Sequence, residues 1–316
     1  MNPKILFSLV VVFICLMEFP TSEGQPPYIS KDFALQLPLG SRVEFKEFPS
    51  DALSGTSQYS IFLPAVYDQF PMRKFPVIYF LHGMFNDHGS WIQGRYGNLP
   101  LAIENLLRDK AVPPFLMVHP NGKNSFYTNS LNGSQRYEEY IFNDLIREIE
   151  THFRVRSTRS DRAIAGTSMG GYGALKIAMK HPQLYTSVAV GSPIIFLGED
   201  PSRHITSSSS KLARFFTKAL RPVFGIPFNP KHWQENSIEV LALTNNIQHL
   251  NIYMAYGTAD RYLHVFPMQQ GIEKIGMILN KRGISHVFHV YNGDPHGWKF
   301  IRKHIEQILE FLTQTF

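Results

Sequence analysis

The sequence has 316 residues, 44% of them hydrophobic and 18% charged, with 31 lysines and arginines against 25 acidic residues. These proportions exclude wholesale disorder and supply enough apolar material for a sizeable core. The basic residues are scattered apart from a mild cluster over Lys211–Arg221. They form no stripe interleaved with aromatic residues, which argues against a nucleic-acid groove and leaves only a weak attraction to an anionic surface.

Taken in chain order, Lys4 precedes an almost wholly apolar run from Ile5 to Met17, followed by Pro20 and the small-x-small site Ser22-Glu23-Gly24. As a helix that run would span about 20 Å, too short for the hydrocarbon core, so residues 1–24 are expected to be a signal peptide rather than an anchor. A lipoprotein site would need a small residue before Cys15, and Ile14 stands there. The mature chain, 25–316, is then expected to be secreted or periplasmic, without stable membrane insertion. Cys15 is the only cysteine, so the mature chain can hold no disulfide, zinc-thiolate site or cysteine nucleophile. Asn132-Gly133-Ser134 is an N-glycosylation sequon.

No internal repeat or Pro/Gly linker divides residues 25–316, which read as one domain. Val43–Phe48 and Gln58–Leu63 alternate in hydropathy like antiparallel edge strands. Pro76–Leu81, Phe115–Val118, Arg162–Ala165, Ser187–Val190, Asn251–Tyr256 and Val287–Tyr291 are short apolar runs of the kind found in buried parallel strands. Between them lie helical patterns over Ala102–Leu107, from about Tyr137 (Ile141, Leu145, Ile149, Phe153), over Gly170–Lys180, near Met268–Lys281 and over Lys299–Leu312. The alternation predicts an α/β fold with a mostly parallel twisted sheet of about eight strands and helices on both faces. Ligands in such sheets bind at the carboxyl ends of the strands. Residues 199–235 interrupt the rhythm after the sixth predicted strand, either as a lid-like insertion or as a decorative one.

Gly166-x-Ser168-x-Gly170 follows the apolar run Arg162–Ala165 and precedes a helical pattern. That strand–turn–helix setting is the context of a nucleophile elbow, in which a sharp turn with small flanking residues lifts a serine above the sheet. A serine hydroxyl needs a base and the base needs an orienting carboxylate, in the chain order Ser, acid, His for this setting. His296 lies in a Gly/Pro loop just after the last predicted strand, at the edge where Ser168 should be. His286 and His289 fall in or beside that strand, and His304 is expected on the solvent face of the last helix. Asp260 follows the strand ending at Tyr256 and is the candidate acid, with Glu199 or Asp200 as the alternative. Asp294, two residues from His296, reads as a turn residue. The amides of Met169 and Met84 are placed to form an oxyanion hole. His82 is expected to orient the Met84 loop rather than act as a base, and Gly83 lets that loop turn.

Together the segments PVIYFLHGMFNDHGSW, VHPNGKNSFYTNS, RAIAGTSMGGYGALKIAMKHPQLYTSVAVGSP, YGTAD and HGWKF resemble the esterase D family of α/β-hydrolases over residues 40–314. That group includes feruloyl and acetyl-xylan esterases, S-formylglutathione hydrolases and mycolyltransferases. The resemblance implies an α/β-hydrolase fold, the triad Ser168, Asp260 and His296, and Met84 and Met169 as oxyanion hole. It also implies a pocket bordered by His82, Gly83, Trp91, Asn121, Ser125, Tyr127 and Trp298, and a structural role for Glu138. No metal or other cofactor is implied. The expected substrate is a small-molecule or carbohydrate-linked ester. Acyl transfer to an alcohol and non-catalytic binding on the same scaffold remain open. Gly297, the Asp294-Pro295 pair and Asn129 depart from the family pattern at positions that bear on substrate.

Overall fold

The computed structural model describes residues 34–92, 98–206, 211–263 and 268–316. The expected leader, residues 1–24 with Cys15, lies outside them. The apolar runs form the centre of a nine-stranded sheet in the order β1-β2-β3-β5-β4-β6-β7-β8-β9. Three antiparallel strands, β1 (Ala34–Gln36), β2 (Arg42–Ser50) and β3 (Gly55–Leu63), make one side. β3 pairs antiparallel with β5 (Leu116–Pro120). From there β4 (Val77–Leu81), β6 (Arg162–Thr167), β7 (Ser187–Gly191), β8 (Asn251–Gly257) and β9 (His286–Tyr291) continue in parallel. Among the described residues the sheet has nine strands, the eight expected ones and one more. The extra one is β1, three residues that carry too little pattern to read from sequence.

Continuous apolar strands arise because both faces of the sheet are covered. In β4, Val77, Tyr79 and Leu81 enter one hydrophobic cluster while Ile78 and Phe80 enter the other. The first cluster lies under α5 (Met169–Lys180) and α10 (Met268–Lys281), with Leu175, Ala178, Ile272 and Leu279 in it. The second lies under α2 (Leu99–Arg108) and α11 (Trp298–Thr313), through Ile103, Ile301, Ile305 and Leu309.

The helix expected from Tyr137 is built in three pieces: α3 (Tyr137–Glu139), a π-helical stretch Tyr140–Leu145, and α4 (Ile146–His152). Its apolar residues repeat strictly every fourth position, which drifts around an α-helix. The wider π turn keeps Ile141, Leu145 and Ile149 buried on one face.

Residues 199–235 follow β7, the seventh strand rather than the sixth because β1 comes first. They contain α6 (Ser202–Thr206), α7 (Lys211–Phe224) and α8 (Pro230–Gln234), and α9 (Ile238–Thr244) leads on to β8. Among the described residues no helix is long and apolar enough to cross a membrane.

Candidate active site

The sharpest local feature is the turn between β6 and α5. Ser168 has φ 58° and ψ −122°, a strained conformation for a residue with a side chain. Close packing around it dictates the flanking glycines. A Cβ on Gly166 would lie 2.3 Å from the Gly170 carbonyl oxygen, and one on Gly170 would lie 2.0 Å from that of Leu81. The Ser168 amide donates to Gly191 O at 3.1 Å, and its carbonyl accepts from Tyr172 and Ile194, which pins the turn to β7 and to the start of α5.

The loop after β4, a neighbour of β6, runs directly beside the serine. A Cβ built on Gly83 would be 3.2 Å from Ser168 Cβ and 3.7 Å from Ser168 Oγ. Met84 follows, and Met169 is the first residue of α5, so its amide has no partner within the helix. A helix N-terminus also favours negative charge at this position.

The imidazole and the carboxylate come from the next pair of neighbouring strands. Asp260 follows β8 and His296 follows β9, and His296 Nδ1 donates to Asp260 Oδ2 at 2.5 Å. That bond leaves Nε2 as the free face of the ring. Asp260 is 1% exposed. Burial would raise its carboxyl, but the bond and charge of the His296 imidazole outweigh it. The Tyr262 amide adds to this, and Asp260 lies below the usual carboxylate range. The Tyr262 ring stands edge-on to the imidazole at 4.5 Å and its amide donates to Asp260 Oδ1 at 2.9 Å.

Ser168, Gly83, Met84 and His296 all line one cleft of about 610 Å³, a size suited to a small ligand. Its apolar walls include Phe85, Ile194, Tyr262 and Trp298, and α7 adds Leu212 and Phe216. The insertion is thus part of the cleft wall.

Other sequence-predicted pocket residues lie elsewhere. Trp91 is fully buried and stacks on His119 at 3.7 Å. Tyr127 is fully buried, with its hydroxyl donating to His82 O at 3.1 Å. Asn121 turns its side chain back onto the Lys123 amide. Ser125 borders a separate groove. His82 donates from Nδ1 to Gly83 O at 2.8 Å and accepts the Gly122 amide at Nε2 at 2.9 Å. Both ring nitrogens are engaged, and burial pushes the imidazole down to about 4. It holds two loops together, and it lies behind the cleft rather than on its wall. Gly83 and Trp298 are the expected pocket residues that do line the cleft.

Two further expectations are corrected. His304 is 5% exposed, not on a solvent face; its Nε2 donates to Asp294 Oδ2 at 2.5 Å and its ring stacks on Tyr291 at 3.6 Å. Asp294 does more than turn the chain: it also bonds Lys303, and its carbonyl accepts the Ala259 amide. It ties the His296 loop to α11 and to the Asp260 loop. The alternative acid Asp200 is occupied inside the insertion, accepting from the Ser202 hydroxyl and the Phe228 amide, and neither it nor Glu199 lines the cleft.

Sequence reasoning missed Ser192, Tyr262, Phe85 and Asn86, whose Oδ1 accepts from Trp298 Nε1 at 2.7 Å. Ser192 had a readable signal, a Gly-Ser-Pro step at a strand end; its φ is 46°. The others owe their place to loop packing.

The sheet order, the elbow and the position of the cleft at the strands' carboxyl ends define an α/β-hydrolase of the esterase class. The family model named Esterase matches residues 50–312, and the chain belongs to that family. Among curated relatives, an acetyl esterase from Caldicellulosiruptor saccharolyticus is 26% identical over 75% of this chain and 83% of its own length. An endo-1,4-beta-xylanase/feruloyl esterase from Xylanibacter ruminicola is 28% identical over 44% of this chain, and that match takes in only 20% of the relative's length. Among solved structures, a ferulic acid esterase superposes with a TM-score of 0.71 at 22% identity, covering 87% of this chain and 98% of the other. An S-formylglutathione hydrolase from Agrobacterium tumefaciens gives 0.69 at 18% identity, covering 90% and 99%.

Proposed function

We propose that this protein is a secreted serine carboxylesterase that works through an acyl-serine intermediate. The observation that carries the reading is the 2.5 Å His296–Asp260 bond in the same cleft as a serine held on a strained elbow. Ser168 Oγ attacks the ester carbonyl while His296 Nε2 takes its proton, and Asp260 fixes the ring and stabilises the imidazolium. The Met84 and Met169 amides take the charge that develops on the carbonyl oxygen. His296 then protonates the departing alcohol, and water activated by the same imidazole releases the acid.

The substrate side follows from the cleft walls. Phe85, Tyr262 and Trp298 offer aromatic surface to an aryl or short acyl group. The relatives named as acetyl and feruloyl esterases, and a neighbour whose structure holds ferulic acid, support a small acyl group carried on a carbohydrate. Secretion rests on the apolar run Ile5–Met17 and the site at Ser22–Gly24. The secreted chain should begin near Gln25 by terminal sequencing.

The test is turnover of p-nitrophenyl acetate and labelling by a fluorophosphonate. Ser168→Ala should lose labelling and lower kcat by at least about 10⁴-fold with the fold intact. An unlabelled parent protein with no ester turnover would remove the reading.

A further inference from the structure

A second groove opens beside the catalytic cleft. Its volume is about 810 Å³, and it runs between α7 and the segment 123–135. Phe85 lines both cavities, so the groove begins where the cleft ends. Phe85 and Phe215 meet edge to face at 5.5 Å across its mouth and are 61% and 52% exposed. The Phe85 amide donates to Asn124 Oδ1, which ties the loop after β4 to the 123–135 side of the groove.

The charge of this groove is one-sided. Lys123, Lys218 and Arg221 line it, and no acidic side chain does among the described residues. Lys218 and Arg221 also border a smaller groove of about 450 Å³ with Arg214, Thr206 and Thr217. Lys211, Arg214, Lys218 and Arg221 are spaced by three, four and three, which sets them in one exposed stripe along α7. Between Asp200 and Glu235 the chain carries six lysines or arginines and no acidic residue. The sequence already showed a mild cluster over Lys211–Arg221, and the fold sets it with Lys123 beside the cleft that holds Ser168. The rest of the lining mixes hydroxyl and amide side chains, including Ser130, Asn132 and Gln135, with apolar ones, including Leu131, Pro222 and Val223.

We propose that this groove binds the alcohol side of the ester as an acidic oligosaccharide. The aromatic edges at Phe85 and Phe215 take the apolar faces of sugar rings, the hydroxyl and amide side chains pair with sugar hydroxyls, and Lys123, Lys218 and Arg221 hold a carboxylate. An anionic lipid surface is the competing partner for a basic stripe with exposed aromatics. A concave wall that sets hydroxyls, amides and cations among apolar side chains suits a ligand that enters the protein better than a bilayer that lies on it. The inference rests on the esterase reading for its catalytic consequence, but the groove's binding chemistry stands apart from it.

The experiment compares O-acetylated trigalacturonate with O-acetylated xylotriose, and follows p-nitrophenyl acetate in parallel. At low salt the acidic substrate should have the higher kcat/KM by about tenfold, the effect of one or two charge contacts. The preference should vanish in Lys218→Gln/Arg221→Gln, and at about 1 M salt where screening acts within about 3 Å, with p-nitrophenyl acetate turnover unchanged in the variant. Equal kcat/KM for the two trisaccharides, with p-nitrophenyl acetate still hydrolysed, overturns the groove and leaves the esterase standing. Calorimetry with unesterified trigalacturonate separates the two in the other direction. Binding that the double variant loses supports the groove even in a protein that hydrolyses nothing, and absence of binding overturns it. Sedimentation with phosphatidylglycerol vesicles without binding of trigalacturonate also overturns it and gives the stripe to a membrane.

Discussion

Asp260 illustrates how one residue's surroundings set its chemistry. It is buried, yet it stays ionised because the His296 imidazole and the Tyr262 amide both favour the anion. An amide in its place would keep the shape but present the wrong partner to Nδ1. On the proposed mechanism Asp260→Asn should lower kcat for p-nitrophenyl acetate by about 10⁴-fold, because the ring loses its tautomer and its orientation. Far-UV circular dichroism should be unchanged, so a loss of activity with loss of fold would argue for a structural role alone. At this scale the triad candidates were legible from sequence, since Ser168, Asp260 and His296 each follow a readable strand. Most of the pocket residues were not, Gly83 and Trp298 excepted. Trp91 and Tyr127 are large aromatics near the right motifs, but side-chain direction depends on loop packing, and both point into the core.

The elements that hold the site are β4, β6 and α5, and their contact is backbone on backbone. Gly170 at the start of α5 presses against the Leu81 carbonyl at the end of β4, leaving no room for a methyl group. A backbone carbonyl cannot rotate away as a flexible side chain would. Gly170→Ala should therefore destabilise by about 3 kcal/mol or more, read from the urea midpoint, and should lower labelling of Ser168. Gly276 gives the contrast. It lies in α10, where a Cβ meets nothing nearer than Phe288 at 4.0 Å. Gly276→Ala should stabilise by about 0.5–1 kcal/mol because alanine restores helix propensity without a clash. Periodicity located these elements, and the helix near Met268–Lys281, within a few residues. It did not find β1, the π-helical turn or α9, where the pattern is too short or the tertiary contacts decide the geometry.

Across the whole molecule, one buried ion pair joins the parts that surround Ser168. Lys176 on α5 donates to Glu138 at 2.6 Å, to Tyr127 O and Thr128 Oγ1 at 2.8 Å each, and to Asn236 Oδ1 at 3.3 Å. Lys180 adds a second cation on Glu138 at 2.7 Å. Helix α5, the 121–129 loop, the segment from Tyr137 and Asn236 just past the insertion thus meet at the Lys176 ammonium. Burial alone would raise Glu138, but Lys176, His181 and Lys180 outweigh it and hold the group well below its ordinary value of 4.5. A depressed folded-state value means that the unfolded chain takes up the proton first as pH falls. The stabilisation is full above about pH 4.5 and is lost progressively below it. Glu138→Gln should cost about 3–5 kcal/mol near neutral pH, since it leaves Lys176 buried without its counter-charge. Its urea midpoint should also fall less steeply than the parent's below pH 4.5; parallel acid limbs would show that other carboxylates control acid unfolding. By itself the sequence determined the α/β class, the elbow at Ser168 and the order in which Asp260 and His296 follow it, because hydropathy period, glycine spacing and chain order are local or ordinal properties. The tertiary structure alone decided which side chains face the cleft, where His304 and Asp294 meet, and how Lys123, Lys218 and Arg221 come to border one groove. Those depend on contacts between segments far apart in the chain, and no local pattern encodes them.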